Sequence, residues 1–217
     1  MKLRSFAPAF LVFLAPLVGA AQNSPLKFDH FPLEVGMRWT YRARDLKSLQ
    51  AKTAPVRKVV VEVAQTESYL EKQTKDGKDV TVQHTGFLLK STSQGKSTFD
   101  HVVVLPEGVF RVHAARTKIT PPLLFFKVPR KLGETWTCDS VSGNTTIKGT
   151  FVANRDRVTV PMGIHDALII SYRSQKAPEE QIEIDYWFVR DIGMVKQRVR
   201  TKTHEVVLEL EKFDKGK

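Results

Sequence analysis

Val206-Val207-Leu208-Glu209-Leu210-Glu211 sets Val206, Leu208 and Leu210 on one side of an extended chain, with Glu209 and Glu211 on the other. A strand turns every second residue the same way, whereas a helix would scatter this pattern around its circumference. The same period recurs upstream. Val80-Thr81-Val82-Gln83-His84-Thr85 alternates, and Lys58-Val59-Val60-Val61-Glu62-Val63 crowds β-branched residues into one short run. Turn residues interrupt the pattern at Asp76-Gly77, Gln94-Gly95, Pro106-Glu107-Gly108, Ser142-Gly143-Asn144 and Pro161-Met162-Gly163. These residue types either tolerate positive φ or fix φ. Helical spacing is confined to two short stretches, Lys47–Lys52 and Ser68–Lys75. The pattern predicts an all-β chain: a curved antiparallel sheet, half-barrel or sandwich, of about ten to twelve strands with little helix. Trp39–Leu46, Val109–Lys118 and Glu183–Val189 are among the expected strands.

The amino terminus reads differently. Lys2 and Arg4 precede an uncharged apolar run from Phe6 to Leu17, and Val18-Gly19-Ala20 supplies the small residues a signal peptidase reads. This is the layout of a secretory signal peptide over residues 1–20, with cleavage expected between Ala20 and Ala21. The competing reading, a membrane anchor, needs about 20 apolar residues, and this run is shorter. Residues 21–217 then read as a single β-rich domain with no transmembrane segment, periplasmic or extracellular after export.

Lys and Arg number 34 against 23 Asp and Glu, a net charge of +11, and loss of Lys2 and Arg4 leaves +9. Such a charge favours anionic partners, of which anionic lipid and acidic polysaccharide suit an exported chain. Cys138 is the only cysteine, so the chain cannot close an internal disulfide and its core must hold the fold. It is expected to be a small buried residue, with pairing between two copies as the alternative.

Two segments echo each other. Phe31-Pro32-Leu33-Glu34-Val35-Gly36-Met37-Arg38-Trp39-Thr40 and Val128-Pro129-Arg130-Lys131-Leu132-Gly133-Glu134-Thr135-Trp136-Thr137 both read apolar-Pro-x-x-apolar-Gly-x-x-Trp-Thr. Gly108-Val109-Phe110-Arg111 and Gly193-Met194-Val195-Lys196 form a second, weaker pair. Two related halves, 26–120 and 121–217, or similar turns reached independently, explain this equally well. Phe31-Pro32-Leu33, Gly36 and Trp39-Thr40-Tyr41 also resemble the opening motif of a family of exported bacterial β proteins without an assigned activity. Val160-Pro161-Met162-Gly163 with Ala167-Leu168, and Trp187-Phe188 with Ile192 to Lys196, look like its companion motifs. Such chains are in turn similar to the open half-barrels of periplasmic lipoprotein carriers. That likeness implies a curved sheet with a concave apolar face.

Motifs of catalysis fail when tested by spacing. His204-Glu205 would need a second histidine at position 208, which is Leu208. Gly95-Lys96-Ser97 would need a glycine at position 90, which is Lys90, and reads as a polar hairpin tip. No Gly-x-Ser-x-Gly elbow occurs, and His30, His84, His101, His113 and His165 show no metal-ligand spacing. Neither a metal nor a cofactor is expected. Glu183 and Asp185 share a strand face, as a hydrolase pair could, but their alternation with Ile182, Ile184 and Tyr186 also suits a solvated outer face.

Lys196, Arg198, Arg200 and Lys202, continued by His204, occupy every second position and so project on one face, and Arg42 and Arg44 repeat the device after Trp39. These six basic residues are the candidate anion-binding surface; an ordinary solvated face is the alternative. No aromatic residue interleaves positions 194–204, which speaks against nucleic acid. Leu123-Leu124-Phe125-Phe126 is the strongest apolar run after the signal, expected in the core, with a lipid pocket as the alternative. The function expected is that of an exported, non-enzymatic envelope or periplasmic β domain that binds or scaffolds, with an anionic or amphiphilic ligand in view. The alternative is an envelope hydrolase whose site is assembled from distant residues.

Overall fold

The computed structural model describes residues 28–46, 55–129, 131–176 and 180–216. The secretory signal with its Ala20/Ala21 junction and the Lys47–Lys52 turn lie outside the described residues. The first six strands are β1 (Arg38–Leu46), β2 (Val56–Lys75), β3 (Lys78–Ser93), β4 (Lys96–Leu105), β5 (Gly108–Ala114) and β6 (Thr117–Phe126). The second six are β7 (Thr135–Ser142), β8 (Thr145–Val160), β9 (Gly163–Ser174), β10 (Glu183–Val189), β11 (Gly193–Arg200) and β12 (Glu205–Asp214). Each strand pairs antiparallel with its neighbours in sequence, and β1 also pairs with β12, which closes a barrel. The all-β architecture follows from the alternation, and the sheet runs beyond a half-barrel to full closure. Among the described residues no helix is long and apolar enough to cross a membrane.

Tyr69–Thr74 is a strand, as its residues also allowed: Ser68–Lys75 lies in β2, where pairs from Ser68↔Thr85 to Lys75↔Lys78 satisfy its backbone across the β3 ladder. One local expectation is corrected. Val109–Lys118 is not one strand. Ala115 and Arg116 take φ of 46° and 74° and turn the chain between β5 and β6. Neither residue type favours positive φ, so no sequence signal marks this turn.

The echoed motifs open strands at matching places. Trp39 lies in β1 and Trp136 in β7, while Gly108 and Gly193 begin β5 and β11. The 120/121 division falls inside β6. Both indoles donate to backbone carbonyls, Trp39 Nε1 to Ile192 at 2.5 Å and Trp136 Nε1 to Leu124 at 3.0 Å. The tight turn before β11 fits this contact. Gly193 has φ 94°, and a Cβ there would stand 3.3 Å from the Trp39 ring nitrogen.

Alternation sorts the side chains into an inner and an outer face. Around one end of the barrel the inward residues are buried, including Trp39, Tyr41, Phe126, Phe151, Phe188 and Leu210. The segment before β1 seals that end. Phe31 sits 5.5 Å from the rings of Phe125 and Phe126 and 5.6 Å from Phe188, and Phe28 meets Phe126 edge-on. Leu123, Phe125 and Phe126 are buried in this floor, so the apolar run belongs to the core.

The weakest ladder joins β6 to β7, with only Ile119↔Ser142 and Thr120↔Val141 in register. Pro121 and Pro122 follow and have no N–H to continue it. Side chains stitch the remainder: the Trp136 indole bond to Leu124, and Lys127 Nζ on Glu134 Oε1 at 2.5 Å. Trp136→Phe keeps the ring stack on Phe151 but loses this hydrogen bond, and is expected to destabilise the protein by about 0.5–1.5 kcal/mol. Amide exchange should quicken at β6 and β7 while β1 and β12 stay protected.

Candidate binding site

Above the aromatic floor the inward side chains change character. Val59, Val61, Leu89, Ala114, Trp136, Cys138, Ile147, Ile184 and Leu208 pack against the core yet are only partly buried. They come from strands all round the barrel and face its interior, the lumen: Val61 and Trp136 stand beside Trp39 and Phe151, while Ala114, Ile147 and Ile184 lie nearer the end away from Phe31. A barrel of more than about eight strands is wider than its own side chains readily fill, so a ligand space of this kind is expected.

Two charged groups of opposite sign lie on the lumen floor. Arg111 shares the inward face of β5 with Val109 and places its guanidinium 5.1 Å from the centre of the Phe125 ring. Asp100, inward on β4, approaches it at 3.7 Å, beyond a direct hydrogen bond. Arg111 Nε is buried and has no hydrogen-bond partner. Tyr186 hydrogen-bonds Gln197 nearby, and its burial pushes its hydroxyl pKa up. Tyr172, also on this wall, is pushed up to about 12 by burial, with Cys138 and Tyr186 adding to the effect. Burial likewise raises the Cys138 thiol, which makes it a poor nucleophile at neutral pH. The residue is half-buried and free, as a small lumen-facing side chain.

The basic stripe lies on the outer face, where it meets carboxylates. Lys196 pairs with Glu209 at 3.0 Å, Arg198 with Asp185 at 2.6 Å and Arg200 with Glu205 at 3.1 Å. Arg44 reaches Glu209 at 2.5 Å and Arg42 reaches Glu211 at 2.7 Å. Lys202 sits exposed in the turn between β11 and β12 without an ion pair among the described residues. The barrel register brings these groups together: Arg44 and Arg198 both stand opposite Val207, and Lys196 opposite Glu209. On this stretch of the outer face charges, with Trp187 beneath them, stand where a lipid-spanning barrel carries its apolar band.

Asp185 anchors this ladder and explains the Glu183–Asp185 pair. Burial alone would raise its pKa, but the Ser171 hydroxyl at 2.6 Å and the guanidiniums of Arg198 and Arg173 outweigh burial and hold it below the ordinary 3.8. Lys196 and Arg198 also lie over the Trp187 ring, at 5.6 and 5.8 Å. The indole of Trp187 donates to Asp156 Oδ2 at 2.7 Å, which ties β10 to the long β8 strand.

A second concavity opens at the closed end. A cleft of about 880 Å³ is lined by His30, Val128, Pro129, Lys131, Leu132, Arg155, Asp156, Arg157 and Asp166, with Ala167 and Leu168 at its base. Among the described residues no group of three or more His, Cys, Asp or Glu is placed to hold a metal ion.

Neither a protein-family model nor a curated protein matches the sequence. Solved structures with similar folds include a candidate lipoprotein from Parabacteroides distasonis, 13% identical over 87% of this chain and 99% of its own, with a TM-score of 0.49. A candidate exported protein with a YmcC-like fold from Bacteroides fragilis is 12% identical over 85% of this chain and 98% of its own, also at 0.49. A β-barrel-like protein of the domain of unknown function DUF1849 from Brucella abortus is 14% identical over 85% and 99%, at 0.42. Likeness of this degree transfers no function to the chain.

Arg111 was absent from the sequence-based candidates. Its signal was present, as a charged residue two places from Val109 and so on the apolar face of the same strand. Asp185 gives the pH test. Its folded pKa is depressed, so its contribution to stability is complete above the unfolded value and is lost as the pH falls below about 3.8 through the folded pKa. Asp185→Asn should lower the melting temperature at pH 7, and the gap to the wild type should shrink as thermal melts are taken into the acid range.

Proposed function

We propose that the chain is an exported, non-enzymatic envelope protein that carries or holds an anionic amphiphile in the barrel lumen. The observation that carries this reading is the pairing of a half-buried apolar wall with one guanidinium, Arg111, whose Nε is buried without a partner. An apolar tail would cover Val59, Leu89, Ile147 and Ile184, and its carboxylate or phosphate would take the donors that Arg111 offers beside Phe125. The secretory signal over residues 1–20 supports export. The six basic residues first considered for anions serve in this reading as the outer ion-pair ladder, where an external anion competes with Glu205, Glu209, Glu211 and Asp185. Two related halves of six strands each, meeting at the β6–β7 seam, belong to the same reading and account for Trp39 and Trp136 opening β1 and β7.

A fluorescent long-chain fatty acid should bind the purified barrel and be displaced by unlabelled fatty acid. Arg111→Met keeps the side-chain bulk and should weaken binding about tenfold or more, the loss of a charge-assisted hydrogen bond. Occupancy should also slow alkylation of Cys138, the single thiol on the lumen wall. Unchanged affinity in Arg111→Met, or alkylation indifferent to the fatty acid, would remove the lumen from the proposal.

A further inference from the structure

The cations of the closed-end cleft differ from those of the outer stripe in one respect. Lys131, Arg155 and Arg157 are exposed, and among the described residues none has a carboxylate within ion-pair distance. Two carboxylates share the cleft. Asp156 is committed, taking the Trp187 indole on Oδ2 and the backbone N–H of Arg157 on Oδ1. Asp166 stands opposite Arg157 in the β8–β9 register and does not reach it. His30 is held below its ordinary pKa by burial and by Arg190, so it adds no charge at neutral pH. Three cations thus face two carboxylates, and the cleft keeps a net positive charge on cations that are not locked in ion pairs.

Apolar side chains accompany it. Val128 and Leu132, both on the cleft wall, are 43% and 56% exposed, and Ile164 at the nearby β8–β9 turn is 60% exposed. Val35, on the same end of the barrel before β1, is 50% exposed. Large apolar residues left in water beside free cations suit an interface where water gives way to acyl chain and headgroup charge is negative. The neighbouring cleft at this end pairs two of its three cations, Arg38 with Glu62 and Lys212 with Asp214, and leaves Lys215.

We propose that the closed end of the barrel docks on an anionic membrane surface, with Lys131, Arg155 and Arg157 receiving lipid phosphates while Val128, Leu132 and Ile164 enter the headgroup layer. The docking is independent of the lumen: the cleft and Arg111 lie at opposite sides of the aromatic floor, so either site can fail without the other. It places the lumen mouth away from the bilayer.

The test is co-sedimentation of the signal-free protein with vesicles of phosphatidylglycerol and phosphatidylcholine, compared with pure phosphatidylcholine, at low and at high salt. The wild type should bind the anionic vesicles at least tenfold more tightly, with affinity falling as salt rises. The triple variant Lys131→Gln, Arg155→Gln, Arg157→Gln should lose most of that preference. Leu132→Ser with Ile164→Ser should weaken binding at every salt concentration. Arg198→Gln with Arg42→Gln, which strips cations already paired, should leave vesicle binding within about twofold, and circular dichroism melts confirm that each variant is folded. The proposal is overturned if the wild type shows no preference for anionic vesicles. It is equally overturned if the stripe variant loses as much binding as the cleft variant, or if soluble glycerol phosphate at millimolar concentration abolishes binding, which marks a free-phosphate site.

Discussion

Closure of the sheet is the constraint on which the rest depends. β1 pairs on one side with β2 and on the other with β12, so the sheet has no free edge around its girth at this junction. Once the sheet closes, the alternation of each strand acquires a fixed meaning. Every second residue faces a shared interior and the others face outward. The lumen, the outer ion-pair ladder and the sealed floor are consequences of that sorting.

The two ends of the barrel are then built differently by the segments that join or precede strands. Phe28 and Phe31 reach the closed end from outside the sheet and complete an aromatic cluster with Phe125, Phe126 and Phe188. The distal parts of β8 and β9 run past the floor on that side, and Met162 N–H bonds the Leu210 carbonyl at 3.0 Å, fastening the hairpin to β12. Among the described residues no comparable plug fills the other end, where inward residues such as Ile147 and Ile184 remain partly exposed. The barrel's apolar wall carries Arg111 beside Asp100, and its base carries unpaired cations with exposed aliphatic residues.

The charge of the chain is distributed to match. Along β1, β11 and β12 the cations meet shared carboxylates, Glu209 taking both Arg44 and Lys196, in a ladder that fixes side-chain positions but individually adds little stability. Asp185 is the exception, because it is buried and held by Ser171, Arg173 and Arg198 together. A net positive charge therefore does not make every basic face a binding face. What separates the cleft cations from Arg42, Arg44, Lys196, Arg198 and Arg200 is the absence of an ion pair among the described residues, and that is a property of strand neighbours.

By itself the sequence determined the strand class and most strand positions, because alternation and turn chemistry are local. Glu183–Val189 was read without error for this reason. The same local rules placed the hairpin tip at Gln94-Gly95, where glycine suits a φ of 75°, and missed Ala115-Arg116, which holds no glycine. Spacing of two also put Lys196, Arg198 and Arg200 on one face. Which residues stand beside that face is decided by register between strands far apart in the chain. Only the tertiary structure set Glu205 and Glu209 against the stripe, turned Arg111 into the barrel interior and left Arg155 and Arg157 without ion pairs among the described residues. Pairing across the barrel depends on closure, and closure is a property of all twelve strands at once that no single stretch of residues contains.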